Sequence, residues 1–247
     1  MFGSRDSATQ IGEGFTDREP AALYAPTYKQ AAYDTLREMI IDLQLPPGTR
    51  LVEADLAAHL RVSKTPIREA MSMLQNDGFV EIAPYRGATV TWLTHTELDE
   101  LRYLLDTIEV PALPRVVERI AADELAALAA TVDKLREARR TRDTRSFRNL
   151  TVEYHRLLLN PAGFRRLVRS ITTLVYPIGL RYDRVFYSNF DDAWDLQLAL
   201  MVARFEGVRA HDAEAAAEAV LSMRESLHTL NVSRLDHPLV APYFQPE

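Results

Sequence analysis

From Glu53 to Leu74 two apolar stripes at helical spacing follow one another with almost nothing between them: Leu56, Ala57 and Leu60, then Ile67, Ala70, Met71 and Leu74. Only Arg61, Val62, Ser63 and their neighbours are left to turn the chain, so the stretch must fold as helix, tight turn, helix. Thr65 can cap the second helix, and Pro66 suits its first position, where a missing amide hydrogen costs nothing. Lys64 and Arg68 then stand at the helix start. A first turn that is cationic, hydroxyl-bearing and outward-facing suits a major groove: hydroxyls and free amides meet phosphates while a guanidinium reaches a guanine edge. Two short core helices with ordinary solvated charges would show the same local pattern, so the flanking sequence has to decide.

The chain as a body would repel nucleic acid, because its 247 residues carry a net charge of −6. Any DNA contact must therefore come from a local basic surface. Cysteine is absent, which removes disulfides, thiolate metal sites and cysteine nucleophiles together and suits a reducing cytoplasm. No run reaches membrane-span length, since even Leu198 to Ala203 is flanked by Asp195 and Arg204. Met1 to Gln10 lacks the apolar core of a signal peptide. Nucleophile elbow, glycine-rich phosphate loop and metal-binding helix signature are all missing, which argues against an enzyme.

Residues 1–26 mix Gly, Ser, Asp, Glu and Pro without periodicity and are expected to form a flexible arm. A helix is expected from about Tyr28 to Leu43, ended by Pro46-Pro47-Gly48. Beyond Asn76-Asp77-Gly78 the period changes: Val80 and Ile82 alternate with Glu81, and Ala88, Val90 and Trp92 with Thr89 and Thr91. The turn between them carries Arg86 and Gly87. Three helices followed by a hairpin make a winged helix-turn-helix over residues 27–92. Arg50, Arg61, Lys64, Arg68 and Arg86 gather on the elements that would face DNA, while Asp34, Glu38 and Asp42 lie on the first helix.

Thr94 to Glu97 has capping-box spacing and opens the second half of the chain. From residue 93 to 235 the pattern is helical throughout, with about six helices. The first is expected to kink or restart at Pro111 and Pro114, and a long one to be interrupted at Pro177. Arg209-Ala210-His211 is so short that the last two helices must be antiparallel. Such an all-α antiparallel bundle builds a pocket from side chains on facing helices. Residues 236–247, with Pro238, Pro242 and Pro246, are expected to form an extended tail. The fold class is thus mostly α: an N-terminal winged helix-turn-helix, then a helical bundle.

The run Leu45-Pro46-Pro47-Gly48-Thr49-Arg50-Leu51, then Glu53 to Leu60, Val62 to Ala70, Leu74 and Asp77-Gly78-Phe79-Val80 resembles the GntR family of bacterial transcription regulators. The likeness extends from Tyr28 to Ser233 and is to the FadR-like subgroup, with its all-helical FCD effector domain. It implies a homodimer on an inverted repeat of operator DNA, probed for a small metabolite by the helical domain and acting as a repressor. By the motif, Lys64 stands where the family usually has arginine and Arg68 takes the second arginine. Ser63, Thr65 and Arg50 would hold phosphates, and Gly87 would let the wing tip approach the duplex.

The effector half departs from the family pattern. Many relatives bind a divalent metal through an aspartate, a histidine four residues on, and two histidines on the last two helices. The corresponding positions here are Thr151, His155, Met201 and Met223, so no metal cofactor is expected. His211 and His228 would restore a site if that alignment slips by a turn. The family's arginine four residues before Glu109 is Leu105, with Arg102 one turn earlier. A less acidic or more apolar effector is therefore expected, gathered by Arg102, Thr151, Tyr154, His155, Met201, Phe205 and Met223. The competing reading is a helical ligand-binding or scaffold protein that never touches DNA, which leaves the placement of Lys64, Arg68 and Arg86 unexplained.

Overall fold

The structure is a computed structural model that describes residues 27–83 and 87–245, apart from the side chains of 102, 174–177, 223 and 224. The proposed arm at residues 1–26 and the wing-tip Arg86 lie outside the described residues, as do the side chains of Arg102 and Met223.

Three helices and a small sheet build the first unit: α1 (Tyr28–Ile41), α2 (Glu53–Leu60), α3 (Lys64–Asn76), β1 (Arg50–Leu51), β2 (Val80–Ala83) and β3 (Gly87–Val90). Their core is one apolar cluster in which Leu36, Ile40, Ile67, Ala70, Leu74 and Val90 have no exposed surface. β3 lies between its neighbours in an antiparallel sheet, with Glu81 opposite Thr89 on one side and Arg50 opposite Thr89 on the other. The third strand, β1, is a feature that the hairpin pattern did not announce. It ties Arg50 to the wing. Residues 61–63 form the turn between α2 and α3, with Arg61 left-handed (φ 57°) as the C-cap of α2.

α3 begins two residues earlier than the Thr65 cap predicts: Ser63 is the N-cap and Pro66 falls at the third helical position. The proline still costs nothing there, since none of the first amides of a helix has an internal acceptor.

The second unit is a bundle of α4 (His95–Arg119), α5 (Ala122–Arg140), α6 (Thr144–Leu159), α7 (Arg165–Ser170), α8 (Tyr176–Asn189), α9 (Asp191–Arg209) and α10 (Ala213–Val232). Helix α4 runs through Pro111 and Pro114 instead of breaking at them. Ala112, Leu113 and Val116 are buried around those prolines, and this packing offsets the amide hydrogens that the two residues lack. The interruption expected at Pro177 falls just before it, as a π-helical turn over Ile171–Val175. Gly207 lets α9 and α10 touch: a Cβ there would stand 2.6 Å from the Ala216 nitrogen.

The tail is not extended over its described length. It turns back so that Val240 and Phe244 are buried, and Leu93 exchanges backbone bonds with it, Leu93 N donating to Tyr243 O (3.3 Å) and Gln245 N to Leu93 O (2.9 Å). Phe244 packs against the rings of His95, Tyr182 and Phe186. Apolar side chains four residues apart in such a segment find a core that local periodicity cannot reveal.

Candidate nucleic-acid interface and effector cavity

The outer face of the first unit is organised by α3 and the sheet. A shallow groove is lined by Arg50, Glu53, Arg68, Ser72, Gln75 and Gly87, so residues from β1, α2, α3 and β3 meet there. Gly87 has φ 83° and lies so near Arg50 that a Cβ would come within 3.7 Å of its Nε. A second hollow at the other end of the helix-turn-helix is lined by Lys29, Arg61, Ser63 and Thr65, among others. Lys64, at the start of α3, is exposed. Of the residues predicted from sequence, Arg50, Arg68 and Gly87 thus line one depression and Ser63 and Thr65 another.

Arg68 has a partner that the sequence reading did not supply. Its Nε and Nη2 donate to the two carboxylate oxygens of Glu53 at 2.9 and 2.8 Å. These hydrogen bonds hold Arg68 still more firmly charged and Glu53 below the usual carboxylate range. A guanidinium has two usable edges, and Glu53 takes only the Nε side. The Nη1 end, which suits guanine O6 and N7, stays outside the pair.

Inside the bundle lies a cavity of about 120 Å³, several times the room one water needs. α4 contributes Leu98, Leu101 and Leu105; α6 contributes Thr151 and His155. α8 adds Gly179, Tyr182 and Asp183, and the last two helices add Gln197, Leu200 and Arg204, then Leu227, His228 and Asn231.

One wall is a buried charged triad. Glu109 accepts from Arg204 Nη1 at 2.8 Å and from His155 Nδ1 at 2.6 Å, and all three side chains are at most 4% exposed. Burial holds His155 below the usual imidazole range, against the upward pull of Glu109. The neutral ring then carries its hydrogen on Nδ1, which fixes the tautomer. Elsewhere in the lining, burial pushes the Asp183 carboxyl up to about 7, with Tyr187 and Arg148 pulling the other way. Asn231 Oδ1 is buried and accepts no hydrogen bond.

Of the effector residues predicted from sequence, Thr151 and His155 line this cavity. Tyr154, Met201 and Phe205 do not: they are buried in the bundle core, and the Tyr154 hydroxyl donates to the Met201 carbonyl at 2.7 Å. The reason is rotation about α9. Gln197, Leu200 and Arg204 form the stripe open to the cavity, and Met201, Phe205 and Val208 the adjacent stripe sealed in the core. The alignment on Met201 is therefore one turn short of the residue beside His155, which is Arg204. A signal was present: an arginine lying against the apolar run at Leu200, Met201, Phe205 and Val208 asks for a buried anion.

The donor set does not fit a divalent metal. Beside His155 stand Thr151, whose hydroxyl already donates to Phe147 O at 3.0 Å, and the Arg204 guanidinium, 3.3 Å from the imidazole. A fixed cation at that distance repels another. Among the described residues no cluster of three His, Cys, Asp or Glu is placed to hold an ion. His211 is exposed with Nδ1 beside Val117 O, and His228 pairs with Asp99 at 3.2 Å.

The two units are joined through α8. Ile178 and Leu180 pack into the core of the first unit, while their neighbours Gly179, Tyr182 and Asp183 face the cavity. Arg181, buried between, donates from Nη1 to Thr91 Oγ1 at 3.0 Å and from Nη2 to the Thr91 carbonyl. The Tyr182 hydroxyl accepts from Thr94 N at 3.1 Å, in the linker. Arg148 of α6 pairs with Asp42 just past α1. None of these contacts was foreseen.

Comparison with known proteins agrees with this division. Residues 28–90 match the description "Bacterial regulatory proteins, gntR family", and residues 100–227 match "FCD domain". The Bacillus subtilis strain 168 protein described as the uncharacterized HTH-type transcriptional regulator YdhC is 29% identical over 202 residues, 80% of this chain and 87% of that one. The HTH-type transcriptional repressor RspR of Escherichia coli K12 is 27% identical, over 66% of this chain and 69% of its own. A solved GntR chain from Rhodococcus sp. RHA1 superposes with a TM-score of 0.72 at 21% identity, covering 83% of this chain and 97% of its own; that likeness is one of fold.

Proposed function

The chain belongs to the GntR family of bacterial regulatory proteins and carries that family's FCD domain, and from this premise we propose how it reads DNA and responds to a ligand. It is a DNA-binding transcription regulator with a ligand-binding helical domain. In this reading it acts in the cytoplasm as a homodimer on an inverted repeat, as a repressor that its effector releases. Arg68 reads a guanine with its Nη1 end while Glu53 holds the other edge in place. Arg50, Ser63, Lys64 and Thr65 contact phosphates, and Gly87 lets the wing approach. The cavity works without a metal.

The observation that carries this reading is the groove in which Arg50, Arg68 and Gly87 meet although 37 positions separate the first from the last. Scattered surface cations have no reason to converge on one side of a short helix. Control then follows from α8, which touches the cavity, the linker and the wing sheet within residues 178–183. A ligand that favours one setting of α8 shifts operator affinity by its differential binding, typically about 1 to 3 kcal/mol.

The test is operator binding by the full chain and by Arg68→Ala, measured by fluorescence anisotropy on a selected operator and on unrelated DNA. The variant is expected to lose affinity for operator and keep its weak affinity for unrelated duplex. Equal operator binding by parent and variant would remove Arg68 from this role.

A further inference from the structure

The lining residues outside the triad say what kind of molecule the cavity accepts. The described arginine at its surface is already matched, Arg204 by Glu109 at 2.8 Å, and His228 Nε2 lies 3.2 Å from Asp99. His155 adds no charge, since burial keeps the imidazole neutral and its Nδ1 hydrogen is given to Glu109. Asp183 is different. It lines the same cavity, and the groups that answer it, the Tyr187 hydroxyl and the Arg148 guanidinium, are not among the lining residues; Arg148 is itself paired with Asp42. Asn231, 8% exposed, lines it too and presents an oxygen that accepts from nothing. A buried acceptor with no donor is costly to leave so. Two acceptors and no uncommitted described cation face a floor of Leu98, Leu101, Leu105, Leu200 and Leu227.

We infer that the cavity takes a small amphipathic amine, whose ammonium donates to the Asp183 carboxylate and to Asn231 Oδ1 and whose apolar body lies on the leucines of α4, α9 and α10. An ammonium is the complement of this lining, with several donors, one positive charge and a hydrocarbon stem. A carboxylate would meet Asp183 and the orphan oxygen, and the Arg204 charge is already balanced by Glu109. This inference rests on the cavity being the effector site of the regulator, and the two can fail separately.

The experiment uses the full chain and three matched probes: n-hexylamine, hexanoate and n-hexanol, by calorimetry and thermal shift at neutral pH. The amine is expected to bind and raise the melting temperature, the alcohol to bind weakly, and hexanoate not to bind. Asp183→Asn, which removes a charge whose burial is unfavourable and so folds, should weaken the amine by about tenfold or more and leave the alcohol unchanged. Asn231→Leu should weaken the amine by a smaller factor. Tighter binding of hexanoate than of hexylamine, absence of any amine binding from propylamine to octylamine, or an Asp183→Asn variant that binds amine like the parent would each overturn the ligand class. Amine that binds through Asp183 but leaves operator affinity unchanged would uphold the class and overturn the effector reading beneath it.

Discussion

Arg68 and Arg204 each hold a glutamate by a charged hydrogen bond of 2.8 Å, yet the side chain of the first is 68% exposed and that of the second 1%. On the DNA face water screens the pair, so forming or breaking it changes folding little and leaves the guanidinium available for another partner. In the bundle the pair has been removed from water, and each charge depends on the other. In the proposed reading the same chemistry therefore serves recognition in one place and architecture in the other. What separates them is solvent.

The sharpest challenge to that contrast is Glu109→Gln, which takes the carboxylate away from Arg204 and His155 while keeping its shape. A loss of about 3 to 5 kcal/mol in urea unfolding is expected. If the variant is as stable as the parent, the buried triad is not the architectural element argued above.

Asp183→Asn tests the cavity from the opposite direction, since burial of this carboxylate outweighs the help it receives from Tyr187 and Arg148. With its folded pKa near 7 and an unfolded value near 3.9, Asp183 binds more protons folded than unfolded between those limits. Its neutral form suits the folded state, so its contribution is harmless below about pH 4 and becomes destabilising as pH rises through 7. The variant should exceed the parent by about 2 to 4 kcal/mol at pH 8 and match it near pH 4. Denaturation curves at the two pH values that run parallel would refute the assignment.

On the DNA face the effects should appear in binding and not in folding. Arg68→Ala is expected to bind operator roughly tenfold to a hundredfold more weakly with an unchanged unfolding midpoint. A shifted midpoint would mean that this arginine, too, is structural. The mildest substitution is Glu53→Gln, which frees the Nε edge of Arg68. It should lower the ratio of operator to unrelated-DNA affinity by about threefold or less, because a guanidinium held at one edge is better aligned at the other. An increase in that ratio would show Glu53 to be a competitor of the DNA and not a positioning residue.

Much of the DNA-binding unit is legible in the chain because its signals are local. The stripes through Leu56 and Ile67, the stop at Asn76-Asp77-Gly78 and the alternation from Val80 to Val90 each lie within one element or one turn. Even there, β1 needed its pairing with β3 to exist as a strand. The cavity was less accessible. Thr151 and His155 were found on the inner stripe of α6, but on α9 a wrong turn exchanged Arg204 for Met201. The apolar stripe of that helix, Met201, Phe205 and Val208, is the one sealed in the core, and periodicity alone cannot show that the adjacent stripe with Gln197 and Arg204 is turned inward too.

The sequence by itself determined the order of the elements, the two-unit division and the gathering of cations around α3, since these follow from side-chain spacing along continuous chain. Only the tertiary structure decided which carboxylate answers which arginine: Glu53 to Arg68 across 15 positions and Glu109 to Arg204 across 95. It alone revealed that residues 178–183 of α8 are shared by both units, and that Asp183 lines the cavity. The reason is that the environment of a charge depends on what surrounds it in three dimensions. Burial multiplies the energy of a pair or of its absence, and burial is a property of helices brought together from distant parts of the chain.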